Sequence, residues 1–191
     1  MRTGLFGGSF DPPHLGHWLV AVDALERLAL DRIVFVPAAA QPLKHAGHAA
    51  PAADRLAMVR AMVGDDPRFV VSTVEIERGG LSFTVDTVSA WRAAHPADDV
   101  HLLVGADAAA SFAHWREPER LSRLARVVVL ARGDGTAGDT AGYPAGAVVL
   151  ASRRVDISST EVRGRVREGL SVRGFVADAV AAYIAAHSLY R

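Results

Sequence analysis

The sequence predicts an α/β fold, a single domain over residues 1–191 built on a doubly wound parallel sheet with helices on both faces. Three observations lead there. Short apolar runs rich in β-branched residues alternate with longer amphipathic stretches, the pattern required by strands buried on both faces and by their crossover helices. The chain has 191 residues, room for one domain at about 100–200 residues each. Half of them are hydrophobic, which suffices for a substantial core and lies far from the composition of a disordered chain.

The elements follow in order. A first strand spans Thr3 to Gly7. A helix runs from Leu15 to Ala29, where Leu15, Trp18, Leu19, Val22, Leu25 and Leu28 recur at helical spacing. Ile33 to Val36 is a second buried strand. Pro37 to Pro51 carries three prolines and two histidines without a clear period, and reads as a long loop of the kind that often carries function. A helix follows from Ala53 to Val63. Phe69 to Ile76 reads as extended, and Thr84 to His95 as a helix stopped by Pro96. Val100 to Val104 is a strand ending in Gly105-Ala106-Asp107. A helical region reaching Leu124 precedes a strand from Val127 to Ala131. The Gly/Ala/Thr-rich stretch Gly133 to Gly146 reads as a mobile surface loop. Ala147 to Leu150 is a short strand, followed by a helix opening near Ser159 and another from Phe175 to His187.

Composition removes several functions. Lys and Arg total 21, as do Asp and Glu, so the net charge is zero, unlike that of a protein bound to duplex DNA or RNA. Zero charge is compatible with a homo-oligomer but identifies no surface for one. The absence of cysteine excludes disulfide frameworks, thiolate zinc sites and cysteine nucleophiles. No run approaches the roughly 18 apolar residues of a membrane span, and the first residues lack a signal-peptide pattern, so a cytoplasmic location without membrane partners is expected.

Chemistry is concentrated first in Gly7-Gly8-Ser9-Phe10-Asp11-Pro12-Pro13-His14-Leu15-Gly16-His17. Glycines directly after a strand let the backbone approach a ligand closely, and the helix that follows aims free N–H groups and a positive dipole end at the same place. This describes a phosphate site. The glycine spacing is neither G-x-G-x-x-G nor a P-loop ending in Gly-Lys-Ser/Thr. His14 and His17 lie three apart and share one helical face, suited to one anion. Helix capping is the plainer reading of the pair, and metal chelation would need further ligands from Asp11 or a distant His. The second concentration is Ile157-Ser158-Ser159-Thr160-Glu161-Val162-Arg163. Its hydroxyls can cap a helix, Ser158 with Glu161 or Ser159 with Val162. With free helix amides and Arg163 they also form a receptor for polyphosphate.

The run from Gly8 to His17 paired with Ile157 to Arg163 resembles the signatures G-x-F-D-P-x-H-x-G-H and I-S-S-T-x-x-R of the HxGH nucleotidylyltransferase superfamily. Within it the chain is similar over nearly its whole length to bacterial nicotinate-nucleotide adenylyltransferases. The distinguishing stretch is Glu77-Arg78-Gly79-Gly80-Leu81-Ser82-Phe83-Thr84-Val85-Asp86-Thr87, similar to E-x-x-R-x-G-x-S-[YF]-T-[VI]-D-T, followed by Gly105-Ala106-Asp107 and Trp115.

The resemblance implies a Rossmann-like fold and transfer of AMP from ATP, carried in with Mg²⁺, to nicotinate mononucleotide. It implies that His17, His14, Lys44 and Arg163 are catalytic. Gly8, Ser9, Phe10, His14, His17, Asp107, Ile157, Ser158, Ser159 and Arg163 would bind ATP, and Lys44, Thr84, Asp107, Trp115, Arg116 and Arg132 the mononucleotide. No metal ligands are implied. The family's P-P-H-[KR] is replaced here by Gln41-Pro42-Leu43-Lys44, with no polar group at Leu43, and Arg132-Gly133 lacks the usual following proline. A transferase for nicotinamide mononucleotide or phosphopantetheine, and a non-catalytic nucleotide sensor, are the competing readings.

Overall fold

A computed structural model describes residues 1–41, 47–132 and 142–191, with the side chain of Arg132 left out. Among them, six strands form one all-parallel sheet: β1 (Arg2–Gly8), β2 (Arg32–Pro37), β3 (Phe69–Val71), β4 (Asp99–Gly105), β5 (Arg126–Arg132) and β6 (Val148–Ser152). Their order is β3-β2-β1-β4-β5-β6. The chain winds outward from β1 to one edge and then from β4 to the other, so the expected doubly wound sheet is present and the strand order reverses between β1 and β4. Helices α1 (Leu15–Arg27), α2 (Ala52–Val63), α3 (Val74–Arg78), α4 (Thr84–Ala94), α5 (Ala106–Ala109), α6 (Pro118–Leu124), α7 (Ser159–Arg167) and α8 (Asp178–Ala186) cover it. None of the described helices is long and apolar enough to cross a membrane.

Alternation along each strand feeds two cores. Phe6, Ile33, Phe35, Leu103, Val128 and Leu130 pack under α1, α2, α7 and α8, against Ala24, Met58, Val59, Val162, Val180 and Ile184. On the other face Leu5, Val34, Val36, Leu102, Val104, Val127 and Val129 meet Val88, Ala109, Phe112 and Leu121. Both faces being covered explains why β2 reads as an unbroken apolar run.

Three elements depart from their sequence reading. The extended segment from Phe69 ends at Val71, and α3 follows. Ser72 N–H still bonds the Phe35 carbonyl at 2.9 Å, but the hydroxyls of Ser72 and Thr73 then bond Val74 N–H and the Glu77 carboxylate, turning the backbone helical. The helical region before Leu124 is three pieces: α5, a 3-10 turn at Phe112–His114, and α6, which starts with Pro118 at its first turn after Glu117 adopts a φ of 52°. The last helix begins at Asp178 instead of Phe175, because the Phe175 carbonyl accepts the N–H of Leu15 at 2.9 Å and Arg173 bridges Val176. Much of the Gly133 to Gly146 loop falls outside the described residues.

The amino ends of β1, β2 and β4 are held by Asp98. Its carboxylate accepts from Arg32 at 2.8 Å, the Thr3 hydroxyl at 2.9 Å and the Trp91 indole at 3.2 Å. Burial alone would raise Asp98, but these donors outweigh it and hold the carboxyl well below the usual carboxylate range.

Candidate active site

Two cavities open at the carboxyl ends of β1 and β4, where the strand order reverses and open α/β sheets bind ligands. One, of about 280 Å³, is lined by His14, His17, Asp107, Ile157, Ser158 and Ser159 among others. Its neighbour, of about 300 Å³, is lined by Gly8, Gln41, Glu75, Ser82, Phe83, Thr84, Trp115 and Arg116 among others. Gly7 and Gly105 line both. A Cβ on Gly105 would meet no atom within 4 Å, and one on Gly7 only the Val36 carbonyl at 4.0 Å. The two spaces therefore adjoin across a seam of bare backbone.

In the first cavity, His14 precedes α1 and His17 is its third residue, with ring centroids 3.8 Å apart. His14 N–H donates to His17 Nδ1 at 3.2 Å. An accepting Nδ1 leaves the proton of neutral His17 on Nε2, as a donor. Gly16 is needed for this arrangement, since a Cβ there would lie 2.9 Å from Nδ1 and 3.0 Å from Cε1 of His14. Phe10, at φ 48° and 1% exposed, stands edge-on to the His17 ring with centroids 5.0 Å apart. Its own ring lies where a Cβ on Gly8 would come within 3.0 Å. The G-x-F of the motif thus forms the packing that supports an imidazole.

The run from Ile157 meets this loop from the other side. Ser158 caps α7 by accepting Glu161 N–H at 3.1 Å. Ser159 donates to the Pro12 carbonyl at 2.8 Å, and Arg163 to the Asp11 carbonyl at 2.7 Å and to Thr160 Oγ1 at 3.2 Å. Ser9, Phe10 and Arg163 line neither cavity; they build and tether the loop. Behind it, buried Arg55 donates to the carbonyls of Ser9, Ala39 and Ala50. Asp11 accepts from Ala49 N–H, Ala50 N–H and the Tyr190 hydroxyl. Burial pulls Arg55 below its ordinary value, opposed by the nearby Asp11 charge.

In the second cavity Trp115 is half-buried, 5.2 Å from Phe112 between ring centroids, with its indole N–H 3.4 Å from Ser111 Oγ. Thr84 opens α4, whose first amides have no side-chain cap. The Arg116 guanidinium lies 4.7 Å over the Phe83 ring and 3.4 Å from Asp86. Asp107 lines only the first cavity. Lys44 lies outside the described residues, as does the Arg132 side chain.

Residues 5–165 match a family model described as cytidylyltransferase-like. A Gemmatimonas aurantiaca protein described as a probable nicotinate-nucleotide adenylyltransferase is 54% identical over 197 residues, covering 100% of this chain and 93% of that protein. A Thermus thermophilus protein of the same description is 48% identical over 191 residues, covering both completely. The chain belongs to the nicotinate-nucleotide adenylyltransferase family. Two solved structures of the Plasmodium falciparum nicotinic acid mononucleotide adenylyltransferase share its fold. The one complexed with NaAD has a TM-score of 0.76 at 18% identity, covering 99% of this chain and 97% of that one. The other, complexed with APC, has 0.77 at 18%, covering 99% and 96%.

Seen as a member of this family, the chain has two wall residues that its sequence reading passed over. Glu75 stands three before Arg78, so the E-x-x-R spacing, counted back from Arg78, begins at Glu75 and not at Glu77. Arg153 lines the first cavity and is held by Asp23, with contacts of 2.7 to 3.1 Å. No local pattern announces that pair, which joins α1 to the segment after β6.

Proposed function

We propose that the chain transfers the AMP moiety of ATP to nicotinate mononucleotide, giving nicotinate adenine dinucleotide and pyrophosphate, in NAD biosynthesis in the cytoplasm. One observation carries the reading: a cavity lined by imidazoles, hydroxyls and a helix start shares Gly7 and Gly105 with one lined by an indole and uncapped amides. The first suits ATP, the second the mononucleotide. In this reaction an oxygen of the mononucleotide 5′-phosphate bonds to the α-phosphorus of ATP as the bond to the bridging oxygen of pyrophosphate breaks. The nucleophile is already an anion, so no general base or covalent intermediate is needed. The protein's work is to align two mutually repelling polyanions and to stabilise charge at the transferred group.

His17 donates from Nε2 to the α-phosphate in the transition state, and His14 serves neighbouring oxygens. The start of α7, with Ser158 and Ser159, receives the β- and γ-phosphates, and Arg163 serves them through the loop that it tethers at the Asp11 carbonyl. Because the Ser159 hydroxyl is committed to Pro12, its contribution there is its N–H. Asp107 takes ribose hydroxyls, and Lys44 neutralises charge between the substrates. Trp115 stacks on the pyridine ring, the amides near Thr84 take its carboxylate, and Arg116 and Arg132 serve the acceptor.

Among the described residues no group of three or more His, Asp or Glu side chains could hold a metal ion. Mg²⁺ arrives with ATP, with phosphate oxygens and water as its donors, and neutralises the triphosphate. The deciding experiment is pyrophosphate release from Mg·ATP with nicotinate mononucleotide, nicotinamide mononucleotide and 4′-phosphopantetheine offered separately. A large preference for the first is expected, and chelation of the metal abolishes release. Turnover with another acceptor overturns the acceptor assignment, and no turnover with any favours a nucleotide sensor.

A further inference from the structure

Glu75 is a carboxylate that the reaction above does not use. It is 6% exposed, sits on the short helix α3 and lines the second cavity. The Thr87 hydroxyl of α4 donates to it at 2.6 Å, and Ser82, just before α4, is a further neighbour that favours its charge. Ser82 Oγ in turn accepts Ala39 N–H at 2.9 Å, while Ser82 N–H bonds the Ala40 carbonyl at 2.8 Å. The buried carboxylate therefore ties α3 to α4, while Ser82 beside it ties the segment entering α4 to the loop leaving β2. Ala38, Gln41, Ser82, Phe83 and Thr84, all on these pieces, form one wall of the cavity. A carboxylate taken out of water is costly unless its hydrogen bonds are made, and here its partners are the supports of that wall.

We propose that Glu75 is a positioning residue for the acceptor substrate. Through Thr87, and packed beside Ser82, it fixes the backbone amides at the start of α4 that receive the acceptor's ring carboxylate. This rests on reading the second cavity as the acceptor site. The ionised form is the stronger acceptor for the Thr87 hydroxyl. Burial pushes Glu75 above its ordinary value, opposed by Thr87 of α4, by Ser82 and by Arg78 of its own helix. As pH falls through that raised value, the carboxylate protonates and the wall loses its anchor.

The test is steady-state kinetics with Mg·ATP and nicotinate mononucleotide on Glu75→Gln, Thr87→Val and Thr87→Ser, with thermal unfolding of each. Glu75→Gln and Thr87→Val should raise the acceptor KM roughly 3- to 10-fold, the worth of one or two hydrogen bonds, with the ATP KM within about twofold. Thr87→Ser keeps the hydroxyl and should stay near wild type. On acidification the wild-type acceptor KM should climb toward that of Glu75→Gln, closing the gap. An unmoved acceptor KM in Glu75→Gln, or equal rises for both substrates, would reduce Glu75 to a structural residue. A wild type that cannot use nicotinate mononucleotide removes the functional reading and this proposal together; a competent wild type with an unmoved variant removes only the proposal.

Discussion

His14 and His17 stand three residues apart on one turn of α1, whereas Glu75, Ser82, Thr84 and Trp115 reach the neighbouring cavity from separate elements strung between α3 and the 3-10 turn. The first half is local. One helical turn, one glycine and one phenylalanine set the imidazoles, so residue identity at fixed spacing is what matters. The second half is tertiary. Its wall is held by hydrogen bonds among α3, α4 and the loop after β2, and that loop is where Gln41 to Lys44 depart from the family pattern. On the proposed function, the ATP chemistry falls to the local half and the choice of acceptor to the assembled one.

Substitutions can break this contrast. The largest effect is expected from His17→Ala, with kcat lowered roughly 100-fold or more and ATP affinity within several-fold, because the contact tightens only in the transition state. Normal turnover at saturation with poor ATP binding would contradict it. Gly16→Ala should follow. The added methyl must displace the His14 ring, and small misplacements of reacting groups are costly, so kcat should fall roughly 10- to 30-fold while the melting temperature stays near wild type. Trp115→Ala should raise the acceptor KM about 5- to 10-fold and spare ATP, as for any stacked ring. An unchanged KM with a weakened fold would return Trp115 to the core.

Asp98→Asn lies outside both halves and should move neither KM. Its effect is on stability. A carboxyl held below its unfolded value of about 3.9 stabilises the fold above that pH, and the contribution disappears as pH falls through the folded value. The wild type should therefore exceed the variant by roughly 1–3 kcal/mol at pH 7, with the difference shrinking below about pH 4 in denaturant titrations. A difference independent of pH would mean that packing, not charge, is lost.

Legibility in the sequence follows the same division. The order of strands and helices was readable because each strand is an apolar run and each long helix has a period. The Gly7 to His17 turn was readable because its groups are neighbours in the chain. Glu75 was obscured by an extended reading of Phe69 to Ile76, in which β-branched residues outweighed the two hydroxyls that start α3. Phe175 looked helical because Val176, Val180, Tyr183 and Ile184 share a face, yet its carbonyl is spent on Leu15, a partner no local pattern reveals. Asp23 and Arg153 are separated by most of the chain, and the same holds for Asp11 and Tyr190.

The seam at Gly7 and Gly105 bears on what happens after the bond is made. On the proposed function, parts of two substrates that arrive independently leave joined as one dinucleotide lying across both cavities, with pyrophosphate leaving separately, and the joining removes the entropy that favoured each part departing alone. On this reading the dinucleotide is held at both cavities at once, more tightly than either of its parts. We expect the dinucleotide, added as product, to inhibit at concentrations below the KM of either substrate, and initial-rate measurements should register this as an inhibition constant smaller than both. An inhibition constant above both KM values would mean that the two halves release their joined occupant as readily as its parts.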